Sequence, residues 1–354
     1  MLKEVREPQG LMEVAPCTWS YSRPTSAPFG RPMSTVATGR PSVPHEPVAV
    51  VGAGLMGHAI AELFAAGGHP VALYDSAPAA LATVMERIEA AARAKGDDLA
   101  ELASISVHEE LEPAVKDAQL VVEAVAESLE VKRKLFATLD RLTDRATTLA
   151  TNTSALPVSA IAEATQHPER VVGTHFWNPP HLVPLVEVVQ GEKTAQSTVE
   201  CTIEMLERIG KSPVHVRRDI PGFIGNRLQH ALKREAIALV ADGVCDAETV
   251  DRVVREGFGS RMAVLGPMEQ SDLVGLDLTL AIHETLMPSL DRSDQPHPLL
   301  VSLVASGKTG MAAGEGFRRW TPEEADEVRR RLNKLLAQGA HQDSTGNEKT
   351  RNLR

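Results

Sequence analysis

Cysteine is scarce. The three in 354 residues, Cys17, Cys201 and Cys245, are too few and too far apart for a disulfide framework and lack the paired spacing of a zinc site. They fit a reducing compartment, and the cytoplasm is the expected location. No His, Asp or Glu cluster has metal-ligand spacing, so no metal is expected. There is no run of about 18 apolar residues, which excludes a spanning helix and predicts a soluble protein with no membrane partner. Surplus positive charge is also missing: 37 basic residues face 47 acidic ones, a net of −10, and such a field repels nucleic acid. A small-molecule partner remains. Residues 1–46 lack any hydrophobic period and carry seven prolines, so they are expected to be a disordered extension. They have no apolar secretory core, and Glu4, Glu7, Glu13 and Glu46 match an acid-poor transit peptide weakly. Met33 is an alternative start.

The length accommodates two domains. From residue 47 onward, strand and helix signals alternate: strands at 47–51, 71–74, 120–125, 148–151, 171–174 and 185–189, and helices at 58–66, 79–95 and 131–142. Alternation of this kind predicts an α/β fold with a parallel, doubly wound sheet. After Asp219 the strand signals stop, and 223–242 and 247–257 read as helices. The expected division is therefore 47–219 for the sheet domain, 220–320 for a helical domain, and 321–354 for a terminal helix and frayed tail. Residues 322–336 place acids early and bases late, as a helix dipole favours.

Gly52-Ala53-Gly54-Leu55-Met56-Gly57 is a GxGxxG between a strand and a helix. Gly52 permits the tight turn, Gly54 lets a pyrophosphate approach, and Gly57 lets helix and strand pack closely, with the helix N-terminus supplying amides to the phosphates. Asp75 ends the second strand 23 residues after Gly52, where a carboxylate accepts both ribose hydroxyls of NAD and repels the added phosphate of NADP. The pattern points to NAD. The plainer alternatives are a glycine-rich turn and a helix cap.

A second constellation is Gly173-Thr174-His175-Phe176-Trp177-Asn178-Pro179-Pro180, followed by Leu185-Val186-Glu187-Val188. His175 precedes Glu187 by twelve residues, so the two can meet across neighbouring strands as a general base with an orienting carboxylate. Oxidation of an alcohol by NAD needs such a base. The alternative is a satisfied core histidine.

With these motifs in place, the sequence resembles the L-3-hydroxyacyl-CoA dehydrogenase family over roughly 47–320. The resemblance also rests on Val122-Glu123-Ala124-Val125-Ala126-Glu127, Asn152-Thr153-Ser154, Pro221-Gly222-Phe223-Ile224-Gly225-Asn226-Arg227 and Gly314-Glu315-Gly316-Phe317. It implies a Rossmann-like domain followed by an all-helical domain that forms a homodimer, fatty-acid-type metabolism, His175 as base and Glu187 as its partner. It further implies that Ser154 and Asn226 hold substrate oxygens, and that Glu127, Lys132 and Asn178 contact the cofactor along with the glycine loop. Ser154 and Asn178 as turn residues, and Asn226 and Lys132 as exposed helix residues, are the plainer readings.

Two departures bear on the substrate. In the acyl-CoA enzymes a helical hairpin after the second strand offers a serine and a lysine to CoA, whereas here that segment is shorter, Ala91 stands at the serine position and Asp97-Asp98 near the lysine. Met311 and Ala312 replace loop lysines, leaving Lys308 nearest. The run from Asn178 to Glu187 is closer to branches acting on free acids: gulonate dehydrogenase and lambda-crystallin, and the formyl-hydroxy-methylpyridine-carboxylate dehydrogenases. There Trp177 can stack on a flat ring, or simply fill core. Arg217, Arg218, Arg227 and Arg261 are candidates to pair a substrate carboxylate. A 3-hydroxyacyl-CoA-type alcohol is the leading substrate and a free hydroxy acid or pyridine carboxylate the runner-up. A non-catalytic, crystallin-like NAD binder is a further alternative. A lysine-dependent 6-phosphogluconate-type enzyme ranks low, because its glycine-rich lysine motif is missing.

Overall fold

The computed structural model describes residues 45–346, so Cys17, Met33, nearly all of the expected N-terminal extension and the end of the expected frayed tail lie outside the described residues. Within it the chain forms two compact units, one running through Phe223 and the other comprising Ile224–Leu336.

The first unit is built on eight strands: β1 (Val48–Val51), β2 (Val71–Tyr74), β3 (Ile105–His108), β4 (Leu120–Glu123), β5 (Thr148–Thr151), β6 (Val171–Phe176), β7 (Leu185–Val189) and β8 (Ser212–Val216). Their spatial order is β3-β2-β1-β4-β5-β6-β7-β8. β1, β4 and β5 are buried at every residue, as strands covered on both faces must be. Side chains alternate between two cores. Val48, Val50 and Leu73 meet Ile60, Phe64 and Ile88 on one face, while Ala49, Val51 and Leu149 meet Phe136, Leu139 and Ile161 on the other.

The sheet departs from the expected all-parallel arrangement. β7 runs antiparallel to β6, and β8 follows β7 in parallel. The cause is local: only residues 177–184 separate β6 from β7, too few for the crossover helix that a parallel return requires. Two edge strands also escape the sequence pattern. β3 is half polar and β8 holds Pro213, a residue tolerated in strands chiefly at edges. The single helix expected at 79–95 is two, Pro78–Ala82 and Val84–Lys95, because Thr83 between them leaves helical geometry at φ −114°, ψ 5°. No helical hairpin occurs between β2 and β3; a 3-10 turn, Leu99–Ser104, leads directly into β3.

The second unit is helical: Gly225–Ala241, Ala247–Glu256, Pro267–Val274, Leu276–Leu286, Pro298–Ala305 and the part of Pro322–Gly346 that runs through Leu336. Its apolar residues stay largely uncovered, with Met268 72% and Leu273 71% exposed.

One buried ion pair braces the first unit. Arg170 donates from Nη2 to the Asp140 carboxylate at 2.8 Å and from Nη1 to the carbonyls of Asp144 and Thr147, closing the turn before β5 against the start of β6. Burial alone raises Asp140, but hydrogen bonds from Arg170 and the Gln166 amide outweigh it and hold the carboxyl below its ordinary range. A depressed carboxyl contributes stability above the unfolded value near 3.9, and that contribution is lost as pH falls through the folded value. Asp140→Asn strands the guanidinium and should cost about 3 kcal/mol in urea melts at pH 7. The gap from wild type should narrow below about pH 4; a gap independent of pH would contradict this account of the pair.

Candidate active site

The glycine motif lies between β1 and the helix Gly57–Ala66, and each glycine meets a different constraint. Gly52 sits at φ 107°, and a Cβ there would stand 2.7 Å from the Ala124 carbonyl oxygen. At Gly57 a Cβ would fall 1.7 Å from the Gly52 oxygen, so helix and turn pack there without room for one atom. A Cβ at Gly54, by contrast, would meet nothing within 4 Å. That open flank fits a pyrophosphate lying against the backbone. Leu55 is 68% exposed at the crest of the loop, and Met56 packs against the core. Asp75 follows β2, and its two oxygens accept the Ala53 amide at 2.7 Å and the Ala77 amide at 2.8 Å. A carboxylate with one bond per oxygen keeps lone pairs for ribose hydroxyls.

At the ends of β4 and β5 lies a network that the sequence only partly discloses. Glu123, fully buried, accepts Lys132 Nζ at 2.6 Å, the Val125 amide at 2.7 Å and the Thr151 hydroxyl at 2.7 Å. Lys132 is likewise fully buried, with Glu127 at 3.5 Å on its other side. The exposed-helix alternative for Lys132 is therefore wrong, and its ammonium lies behind Glu127 instead of at the surface. Glu127 Oε1 takes the Thr153 hydroxyl at 2.6 Å and the Ser154 and Ala155 amides at 2.9 and 3.1 Å. Burial works to raise Glu127, yet the Thr153 hydroxyl, the Lys132 charge and these amides overcome it and hold the carboxyl below the usual range. Glu127 thus shapes the turn that presents Ser154. Glu123 was missed as a site residue; its one signal was an acid inside an apolar strand.

β6 and β7 pair so that His175 and Glu187 are direct partners. His175 Nδ1 lies 2.7 Å from Glu187 Oε2, with the two residues 5% and 1% exposed. The imidazole is held between rings, Trp177 at 5.4 Å and Phe223 at 5.7 Å. Phe223 is fully buried and sits at φ 49°, a conformation that costs a non-glycine residue about 1–2 kcal/mol. Asn152 reaches from β5 to accept the Phe176 amide at 2.9 Å, and Lys211 donates to the Pro180 and Val183 carbonyls, anchoring the loop after His175. Asn178, on that loop, is exposed. Trp177 Nε1 is buried without a hydrogen-bond partner. Asn226 belongs to the helical unit, in the first turn of Gly225–Ala241. Arg217, Arg218, Arg227 and Arg261 are all exposed. An apolar cavity of about 480 Å³ in the helical unit, lined by Ile237, Val240, Leu303, Phe317 and Trp320, contains none of the expected site residues.

Residues 47–220 match the family described as 3-hydroxyacyl-CoA dehydrogenase, NAD binding domain, and residues 222–320 match its C-terminal domain. The chain belongs to the 3-hydroxyacyl-CoA dehydrogenase family. Among relatives of this dehydrogenase, the 5-formyl-3-hydroxy-2-methylpyridine 4-carboxylate 5-dehydrogenase of Mesorhizobium japonicum is 37% identical over 82% of this chain and 96% of the relative. The probable 3-hydroxybutyryl-CoA dehydrogenase of Bacillus subtilis is 38% identical over 76% of this chain and 96% of its own. A crystal structure described as the pyridine-carboxylate 5-dehydrogenase, an NAD+ dependent dismutase, superposes with a TM-score of 0.79 at 34% identity, covering 85% of this chain and 99% of that one.

The loop geometry separates two substitutions. Gly54→Ala should leave thermal stability unchanged and weaken NAD binding, since its methyl enters open space. Gly57→Ala should lower stability by more than about 2 kcal/mol. Equal stability losses in both would contradict the assignment of Gly54 to the phosphate side.

Proposed function

We propose that this protein oxidises a secondary alcohol of the 3-hydroxyacyl-CoA type with NAD, using His175 as general base. The observation that carries this reading is the buried 2.7 Å hydrogen bond from His175 to Glu187. With the Nδ1 proton donated to Glu187, Nε2 keeps its lone pair for the hydroxyl proton of the substrate. NAD, when bound, supplies the hydride acceptor. Ser154, presented by the Glu127-bound turn, stabilises the oxygen as its proton leaves. Glu127 faces the cofactor, with Lys132 as its buried counter-charge.

A second reading, a free hydroxy acid or pyridine carboxylate without CoA, has particular support. Ala91 is 5% exposed and faces the core, so it offers nothing to CoA, and Asp98 caps the turn that stands in place of a helical hairpin. The unpartnered indole N–H of Trp177 beside His175 fits a substrate carboxylate or ring heteroatom. The Mesorhizobium relative is named for a pyridine carboxylate. We also propose a cytoplasmic homodimer joined through the helical unit, where Val264, Met268, Leu273 and Leu276 are exposed; light scattering should give twice the chain mass, and a monomer at micromolar concentration would contradict it.

NADH absorbance with 3-hydroxybutyryl-CoA, 3-hydroxybutyrate, gulonate and a hydroxymethyl-pyridine carboxylate separates the substrate readings. Turnover of the thioester with competition by CoA supports the first, and turnover of a free acid unaffected by CoA supports the second. In either case His175→Ala should lower kcat by about 10²–10⁴ with NAD affinity unchanged. Unaltered turnover would remove His175 from the chemistry, and tight NAD binding with silence across the panel would leave the dyad standing and exclude these four alcohols as the substrate.

A further inference from the structure

We propose that Arg87 and His58 set the glycine loop from behind and are positioning residues for the cofactor's pyrophosphate, an inference that rests on the reading of this loop as the NAD site. A loop that receives an anion must turn its N–H groups toward it and its carbonyls away. Neither requirement follows from glycine alone, whose backbone is permissive. Here the carbonyls are held. Arg87, reaching across from the helix Val84–Lys95, donates from Nη1 to the Ala53 oxygen at 2.7 Å and toward the Gly54 oxygen at 3.4 Å. Its Nη2 donates to the Ala80 oxygen at 2.7 Å, so one planar fork ties the loop to the segment after β2. His58 Nδ1 lies 2.7 Å from the Gly54 oxygen, which can only accept, and this makes Nδ1 the proton-bearing nitrogen; Arg87 Nη1, 3.5 Å away, then donates to the carbonyls and not to the imidazole. On the other side of Ala53, its amide is taken by Asp75.

Peptide planarity turns these contacts into an orientation. Fixing the Ala53 carbonyl fixes the Gly54 N–H on the opposite side of that peptide, and fixing the Gly54 carbonyl does the same for the Leu55 N–H. Both amides belong to the stretch whose flank is open at Gly54. The guanidinium also places a permanent positive charge behind the loop, which an incoming pyrophosphate feels through a thin layer of backbone. Burial, opposed by the bond to Gly54 and assisted by Arg87, lowers His58 from its ordinary value and keeps the imidazole neutral in this contact. A lysine at 87 lacks the fork needed to reach Ala53 and Ala80 together.

The test compares wild type, Arg87→Ala, Arg87→Lys and His58→Ala, with Arg93→Ala as control. Arg93 lies on the same helix and pairs with Glu89 on the surface. Dissociation constants would be measured for NAD+, ADP-ribose and adenosine, alongside melting temperature and kcat at saturating NAD+. Arg87→Ala should weaken NAD+ and ADP-ribose about tenfold each, a loss expected for a hydrogen-bonded charge, with adenosine affinity and kcat unchanged. Arg87→Lys should recover part of the loss, His58→Ala should weaken the same two ligands to a smaller degree, and Arg93→Ala should match wild type. Unchanged ADP-ribose affinity in a folded Arg87→Ala protein would overturn the proposal, as would an equal loss for adenosine. Should Arg87→Ala fail to fold, the Arg87→Lys and His58→Ala proteins decide by the same comparison. Wild type that binds neither NAD+ nor ADP-ribose would overturn the dinucleotide reading itself, a failure distinct from normal wild-type binding with insensitive variants.

Discussion

The 2.7 Å hydrogen bond between His175 and Glu187 depends on a reversal of the sheet. With only residues 177–184 available, the chain turns back beside β6, and the antiparallel register sets the imidazole directly across from the carboxylate. A carboxylate as buried as Glu187 is costly without partners, and the histidine answers part of that cost. The ring in turn is confined by Trp177 and by Phe223, whose unfavourable backbone angle persists because the surrounding core holds it.

Around this pair, the carboxyl ends of the strands carry the other residues of the candidate site, the place where open α/β sheets bind ligands. β1 leads into the glycine loop, β2 into Asp75, β4 into the Glu123–Lys132–Glu127 chain, and β5 into Asn152 and Ser154. Buried charge is used as scaffold. Lys132 neutralises Glu123 and backs Glu127, and Glu127 spends one oxygen on the hydroxyl and amides of the turn that carries Ser154. Arg170 and Asp140 perform a comparable bracing task at the opposite end of β5 and β6.

Local signals made much of this legible in the sequence. The glycine spacing, Asp75 and the apolar runs of β1, β4 and β5 are short-range patterns that need no tertiary information. His175 and Glu187 were readable as a pair because neighbouring strands bring a twelve-residue spacing together. Other features depend on long-range packing. β3 and β8 look polar because edges face solvent, and the reversal at β7 shows only in the brevity of one loop. Arg87 lies 34 residues from the carbonyl it holds, and Phe223 carries no local sign of its contact with His175. The burial of Lys132 between Glu123 and Glu127 is another product of long-range packing that its place on a helix does not disclose.

The central claim is that His175 and Glu187 act as one catalytic unit, and a double-mutant cycle on kcat tests it most directly. Residues that act together lose activity non-additively. His175→Ala, Glu187→Gln and the double variant would be compared on whichever alcohol the wild type oxidises, with NAD binding confirming that each protein is folded. The account predicts that the double variant is no slower than His175→Ala alone. Losses that multiply in full would contradict it, showing that Glu187 acts independently of the histidine it touches.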